Sequence, residues 1–240
     1  MTTLTATAPL QQPRTAAPGW STLYKAGGFA ALLTAVFLPI QIAVIILYPM
    51  PETVTGWFAL FQQHRLAALL DLDLLLVVDQ VLAAVMFTAL YAALRRTSPS
   101  WMAIATASAL ISVVLFIAAN PAFAMLSLSD QYAAAATQAQ KTALLGAGQA
   151  MLAAWEGSAF HASYILGSLS SVAISIVMLA SGQFGRGAPW MGIVANAMAL
   201  GYYVPQIGIF ISIFSVLFLW VWYILTARVL LRGASAGLEA

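Results

Sequence analysis

The chain has 240 residues, 62% of them hydrophobic and only 7% charged, a balance that excludes an ordinary soluble domain and points to a polytopic membrane protein. It has no cysteine, so disulfides, thiolate chemistry, iron–sulfur ligation and cysteine-based zinc sites are excluded. The net charge of +2 comes from basic residues dispersed at helix ends with no aromatic platform among them, which excludes nucleic acid as a partner.

In chain order, the first 20 residues are rich in Thr, Ala, Pro and Gln. They lack the basic start and early apolar region of a cleaved signal and read as a disordered cytoplasmic tail. Six apolar spans follow: Tyr24 to Leu47, Leu66 to Leu94, Trp101 to Asn120, Phe160 to Ser181, Pro189 to Val204 and Gly208 to Leu231. Most reach the roughly 20 residues that a hydrocarbon core of about 30 Å demands; the fifth is the shortest. Before the second span, Trp57, Phe58 and Phe61 mark a short interfacial stretch ending at His64. Asn120-Pro121 closes the third span, and Ser129 to Ala150 suits a helix capped by Ser129 on the outer surface. Both stretches would form a lid, or else simply cover loop backbone at the membrane surface. The expected architecture is all-α, a helical bundle of about six transmembrane helices over residues 21–232, with a cytoplasmic tail at 233–240.

Basic residues orient the bundle. Arg14, Lys25, Arg95, Arg96, Arg186, Arg228 and Arg232 fall on one side, against Arg65 and Lys141 on the other. The positive-inside rule then places both termini in the cytoplasm. A parallel repeat of a helical hairpin is also visible, as Ser98 to Ile104 matches Gly187 to Ile193 at an offset of 89 residues. In each copy a Pro and an interfacial Trp would start the returning helix.

Ionisable groups inside a membrane are costly and default to functional candidates. Three carboxylates stand in the second span: Asp71, Asp73 and Asp79. If the hydrocarbon core ends near Leu94 and takes about 20 residues, it begins near Leu74. Asp71 and Asp73 then lie at the outer interface, and Asp79 alone is inside, roughly 8 Å deeper than that interface. On a continuous helix Asp71 and Asp73 point to different sides, so they form no dyad. Asp79 is the candidate acid, with His161 and Glu156 as further catalytic candidates at the rim. Gln41, Ser112, Ser168, Tyr202 and Ser215 fall near the depth of Asp79. They would form a polar belt around it, or else each hydroxyl would bond its own helix.

Candidate ligand-binding residues are Gln41, His64, Arg65, Asp71, Asp73, Asn120, Trp155 and Tyr202. Arg65 or His64 would pair with Asp71 or Asp73. His64, Asp71, Asp73, Glu156 and His161 would share the outer rim, yet Glu156 and His161 are five apart, off the spacing that puts two ligands on one helix face. No metal site is assigned, and the sequence names no cofactor. Two histidines in all fall short of a three-histidine intramembrane zinc hydrolase, and no Gly-x-Ser-x-Gly supports a serine intramembrane protease.

The run Leu90-Tyr91-Ala92-Ala93-Leu94-Arg95-Arg96, together with Gly167, Arg186, Pro189, Gly192 and the aromatic last helix, resembles the bacterial integral-membrane family called domain of unknown function 4386. The resemblance extends over most of residues 24–232, with Trp190 after Pro189 where a basic residue is expected. It implies a six-span bundle in a multi-pass bacterial inner-membrane protein, and no activity. Three readings follow. The first is a protein that binds or transforms a small lipid-like or amphipathic molecule in an outward-opening site, with Asp79 as buried acid and Trp155, Phe160, Tyr202 and Tyr203 at the mouth. The second is an accessory subunit of a larger membrane complex or homo-oligomer, and the third is a proton-coupled carrier. Membrane lipids are the shared partner of all three.

Overall fold

The computed structural model describes residues 20–236, with side chains through Ala234. The expected disordered tail lies, but for Trp20, outside the described residues, as does the end of the C-terminal tail.

Among the described residues every regular element is helical: α1 (Ser21–Leu47), α2 (Val54–Gln63), α3 (Arg65–Asp71), α4 (Leu74–Leu94), α5 (Pro99–Ala119), α6 (Ala122–Ala134), α7 (Gln138–Trp155), α8 (Ser158–Ser181), α9 (Gly187–Ala199) with a 3₁₀ turn (Leu200–Tyr203), and α10 (Gly208–Ala236). Five segments are long and apolar enough to cross a membrane; they contain α1, α4, α5, α8 and α10. Large apolar side chains such as Phe29, Ile46, Val114, Ile176, Phe210 and Phe214 remain exposed on them. A water-facing surface would not carry such a girdle, whereas lipid tails cover it without cost. The chain is an integral membrane protein and an α-helical bundle.

The bundle closes in chain order: α1 packs on α4, α4 on α5, α5 on α8, α8 on α9, α9 on α10, and α10 back on α1. The fifth expected span is thus a bundle member, but a short one, 13 α-helical residues and a four-residue 3₁₀ turn ended by Pro205, with Gln206 left-handed before α10. Trp101 and Trp190 lie exposed in the first turns of α5 and α9, where interfacial tryptophans would sit in a repeated hairpin. The C-terminal tail expected from residue 233 is still helix through Ala236.

Close approach of backbones holds the bundle, as expected where lipid removes a hydrophobic drive between helices. A Cβ at Gly192 would run into Ser175 Oγ and come within 2.6 Å of Trp222 Nε1, so α9 can seat against α8 and α10 only with glycine there. Gly192→Ala should cost about 1–3 kcal/mol through overpacking, read as a lower unfolding temperature in detergent; unchanged stability would mean that the three helices are not this tightly seated. Pro39 in α1 has no N–H to give Ala35 O, and the Trp220 indole of α10 supplies the missing donor at 2.7 Å.

The described residues form two apolar cores. One, built on Met86, Leu90, Leu94, Met102, Ile174, Met178, Trp222 and Leu230, fills the half of the bundle near the basic helix ends. The other, built on Val54, Trp57, Phe58, Phe61, Ala68, Leu72, Ala122 and Met125, belongs to a cap of α2, α3, α6 and α7 over the opposite end. The aromatic stretch expected at 57–61 is therefore α2, buried rather than superficial. The helix expected at Ser129 to Ala150 is instead two helices. Thr137 caps α7 in a reciprocal capping box with Gln140, and Ser129 lies inside α6, donating to Phe58 O and accepting from Gln62. Thr-x-x-Gln satisfies two terminal donors at once, which a lone Ser cannot do.

Candidate functional site

The second expected span is not one helix. It breaks at Leu72-Asp73, where Asp73 takes a left-handed conformation, φ 62°, and α4 begins at Leu74. Aspartate is among the few non-glycine residues that visit this region. Its N–H bonds Leu70 O at 3.1 Å, one of the two bonds of a Schellman-type helix ending. The break frees carbonyls near the membrane surface, and side chains from two neighbouring helices take them up. Gln41 of α1 donates to Leu70 O at 3.0 Å, and Asn120, at the end of α5, donates to Leu72 O at 2.6 Å. Asn120 also accepts from Ala122 N–H through Oδ1, so it both ends α5 and pins the break. Trp155, the last residue of α7, donates its indole N–H to Asp73 Oδ2 at 3.2 Å.

The break also changes what Asp71 and Asp73 can do. Sequence spacing on a continuous helix sends them to different sides; the left-handed residue removes that geometry, and the two carboxyls are close enough for the charge of Asp71 to act on Asp73. Asp71 is 0% exposed and Asp73 8%, both just before the first residue of the spanning helix. Burial lifts Asp71 from an ordinary carboxylate's range to about 6. Burial lifts Asp73 to about 7; the Trp155 hydrogen bond opposes that rise and the neighbouring Asp71 charge adds to it. Both oxygens of Asp71 and the Oε1 of Gln41 are buried with no hydrogen-bond partner.

Asp79 lies six residues further along α4, 6% exposed, inside the bundle. It stands beside Thr34 of α1 and within electrostatic reach of Tyr223 of α10. No hydrogen bond of normal geometry reaches either of its oxygens, and the Thr34 hydroxyl is likewise unpartnered. Of the polar belt expected around it, four members, Gln41, Ser112, Tyr202 and Ser215, are engaged elsewhere. Ser112 Oγ donates to Ala109 O and Ser215 Oγ to Ser212 O, each on its own helix. Ser112 also faces Gly167 across the α5–α8 seam, a small-residue packing role. Gln41 is engaged at the α3–α4 break and Tyr202 in an aromatic group.

That group is the second polar feature at the cap end. Phe160, His161, Tyr164, Tyr202 and Tyr203 form a chain of stacked, tilted and edge-on rings with centroids 5.3–6.3 Å apart. His161 Nδ1 lies 3.1 Å from Tyr203 OH. Tyr164 OH donates to Ala199 O and meets Ser212 Oγ at 2.7 Å, tying α8 to α9 and α10. Tyr164 was not singled out from the sequence, although a tyrosine within an apolar span signals a need for a partner.

The remaining rim residues disperse. Arg65 pairs with Asp130 of α6 at the surface, not with Asp71 or Asp73. His64 is exposed between α2 and α3 with its ring against Tyr48. Glu156 is exposed at the end of α7. Among the described residues no three His, Asp or Glu converge on one point. An open groove of about 200 Å³ lies between α5 and α8, lined by Trp101, Ile104, Ser108, Leu169, Ser170 and Ala173 among others; no candidate site residue borders it. The structure therefore gathers Gln41, Asp71, Asp73, Asn120 and Trp155 at the α3–α4 break and sets Asp79 below them. His161 and Tyr202 fall in the aromatic group, and His64, Arg65 and Glu156 at the surface. No family model, curated protein or solved structure matches the chain.

Proposed function

We propose that the chain is a proton-coupled carrier of a small molecule, with the interrupted second span as its working element. The observation that supports this reading is the placement of the carboxyls. All three acids of that span lie between the two apolar cores, two at the break and one further along α4, where Asp79 is buried beside Thr34 with no basic side chain bonded to it. Interrupted helices with polar groups at the break seat coupling-ion sites in transporters, and here the break stands at the outer end of the spanning helix with Asp79 further along the same helix. Span five, ended by a 3₁₀ turn and Pro205, gives a second irregular element at the same end.

The expected result is proton uptake by protein-containing liposomes under an imposed membrane potential, followed with an entrapped pH dye, and loss of at least nine-tenths of it in Asp79→Asn. A wild-type protein that moves no protons, alone or with a panel of small solutes, would sink the carrier. A second reading, a binding protein for an amphipathic molecule, is favoured by the aromatic group at Phe160, His161, Tyr164, Tyr202 and Tyr203. It expects a lipid-like mass to accompany the purified protein in native mass spectrometry and to be lost in a Tyr202→Ala, Tyr203→Ala double variant.

A further inference from the structure

Counting donors against acceptors at the α3–α4 break leaves a surplus of oxygen. The side chains that reach it bring three N–H groups into use: Gln41 Nε2 on Leu70 O, Asn120 Nδ2 on Leu72 O, and Trp155 Nε1 on Asp73 Oδ2. Both Asp71 oxygens remain without a donor, fully shielded from solvent, and so does Gln41 Oε1, on a side chain 95% buried by the same measure and already fastened to the peptide next to Asp71. A buried acceptor left unsatisfied costs about 1–3 kcal/mol, and a charged one more. Three such demands in one place, two of them on one carboxylate, ask for a positive charge rather than for one further hydrogen bond. Among the described residues no basic side chain supplies it. Arg65 is held at the surface by Asp130, and Lys141 sits over the Tyr132 ring.

We propose that the α3–α4 break is a sodium-ion site, with the Asp71 and Asp73 carboxylates and the Gln41 amide oxygen as its protein ligands. Hard, all-oxygen ligands select a hard cation over a transition metal. Two carboxylates without a third acidic or histidine ligand among the described residues fall short of the charge that calcium sites gather, and magnesium sheds its water too reluctantly for ligands so fully buried. The carbonyl end of α3 faces the break and favours a cation, while the N-terminus of α4 favours the ionised form of Asp73 beside it. Binding at this point would fasten the cap to the bundle, since the ligands come from α1 and from both sides of the break. The inference stands on the break alone and needs no transport, so its failure and that of the carrier are separate events.

The test is thermal unfolding of the full-length protein in detergent at pH 8, with sodium chloride titrated against choline chloride at constant ionic strength. A saturable rise in unfolding temperature with sodium, absent with choline and smaller with potassium, is expected. Asp71→Asn should abolish it, and Gln41→Leu should raise the half-saturating sodium concentration at least tenfold. Equal responses to sodium and choline would overturn the site, as would a response to calcium alone. Sodium dependence that survives in Asp71→Asn would also overturn it. Should Asp71→Asn not fold, the salt comparison on the wild type and on Gln41→Leu still decides.

Discussion

Asp73→Val should lose several kcal/mol of stability and release the cap to protease, while Asp73→Asn should stay within about 1 kcal/mol of wild type. The difference follows from backbone conformation. Asp73 sits at φ 62°, ψ 21°, a region open to Asn and Asp but a steric outlier for a β-branched residue, at about 1–3 kcal/mol. Valine also leaves the Trp155 indole N–H without its acceptor, for about 1 kcal/mol or more. The chain would relieve both by continuing α3 into α4 as one helix. That path carries Leu72, 0% exposed in the cap core, off its seat beside Phe58, Phe61 and Met125. Asn keeps the left-handed preference and an oxygen for Trp155. Asp73→Gly separates the two effects, since it adopts the conformation freely and forfeits only the hydrogen bond; it should fall between the other two. The readouts are unfolding temperature in detergent and the rate of cleavage in the 120–137 region. Valine and asparagine variants of equal stability would show that the left-handed residue does not hold the break.

What the sequence made legible, and what it hid, divides along the same physical line. Long apolar runs announce themselves because a membrane demands about 20 residues of one character, and α1, α5, α8 and α10 begin within three residues of the expected starts. Counting back from Leu94 puts the start of the hydrocarbon core near Leu74, the residue at which α4 begins, although the expected helix ran on to Leu66. The same run hid the break, because Leu-Asp-Leu-Asp is still apolar enough to pass as one helix. Asp73 was weighed as a charge rather than as a residue fit for a left-handed helix ending. Asp71 and Asp73 were then separated by a helical geometry that does not apply to them. The belt around Asp79 lost four members for a different reason. Depth can be counted along a helix, but which way a serine faces, and whether it turns back to its own carbonyls as Ser112 and Ser215 do, depends on neighbours that a sequence does not order. The neighbours that Asp79 does meet, Thr34 and Tyr223, were both visible as polar groups in spans one and six, and only the ring order of α10, α1 and α4 brings them to it.

In sodium-free buffer the protein should be most stable in mild acid and lose stability as pH rises, the reverse of ordinary acid denaturation. Asp71 and Asp73 titrate near 6 and 7 in the folded chain, above the roughly 3.9 of an aspartate in an unfolded one. A group whose folded value is raised holds its proton longer in the native state, so between these values folding takes up protons. Its contribution is complete below about pH 4, is progressively lost as pH rises through about 6 and 7, and is absent above that. Unfolding temperatures measured in choline chloride from pH 4.5 to pH 8.5 should therefore fall, with the steepest decline ending near pH 7. Asp71→Asn removes one titrating group and its charge on Asp73, and should flatten the curve from the alkaline side by stabilising the protein at pH 8 relative to wild type. Sodium should have the same effect on the wild type and none on the variant, because a bound cation and a neutral amide both remove the buried negative charge at Asp71. A stability that rises with pH across this window would place ionised, well-partnered carboxylates at the break and exclude both the buried acid pair and the surplus of unpaired oxygen from which the sodium site is inferred.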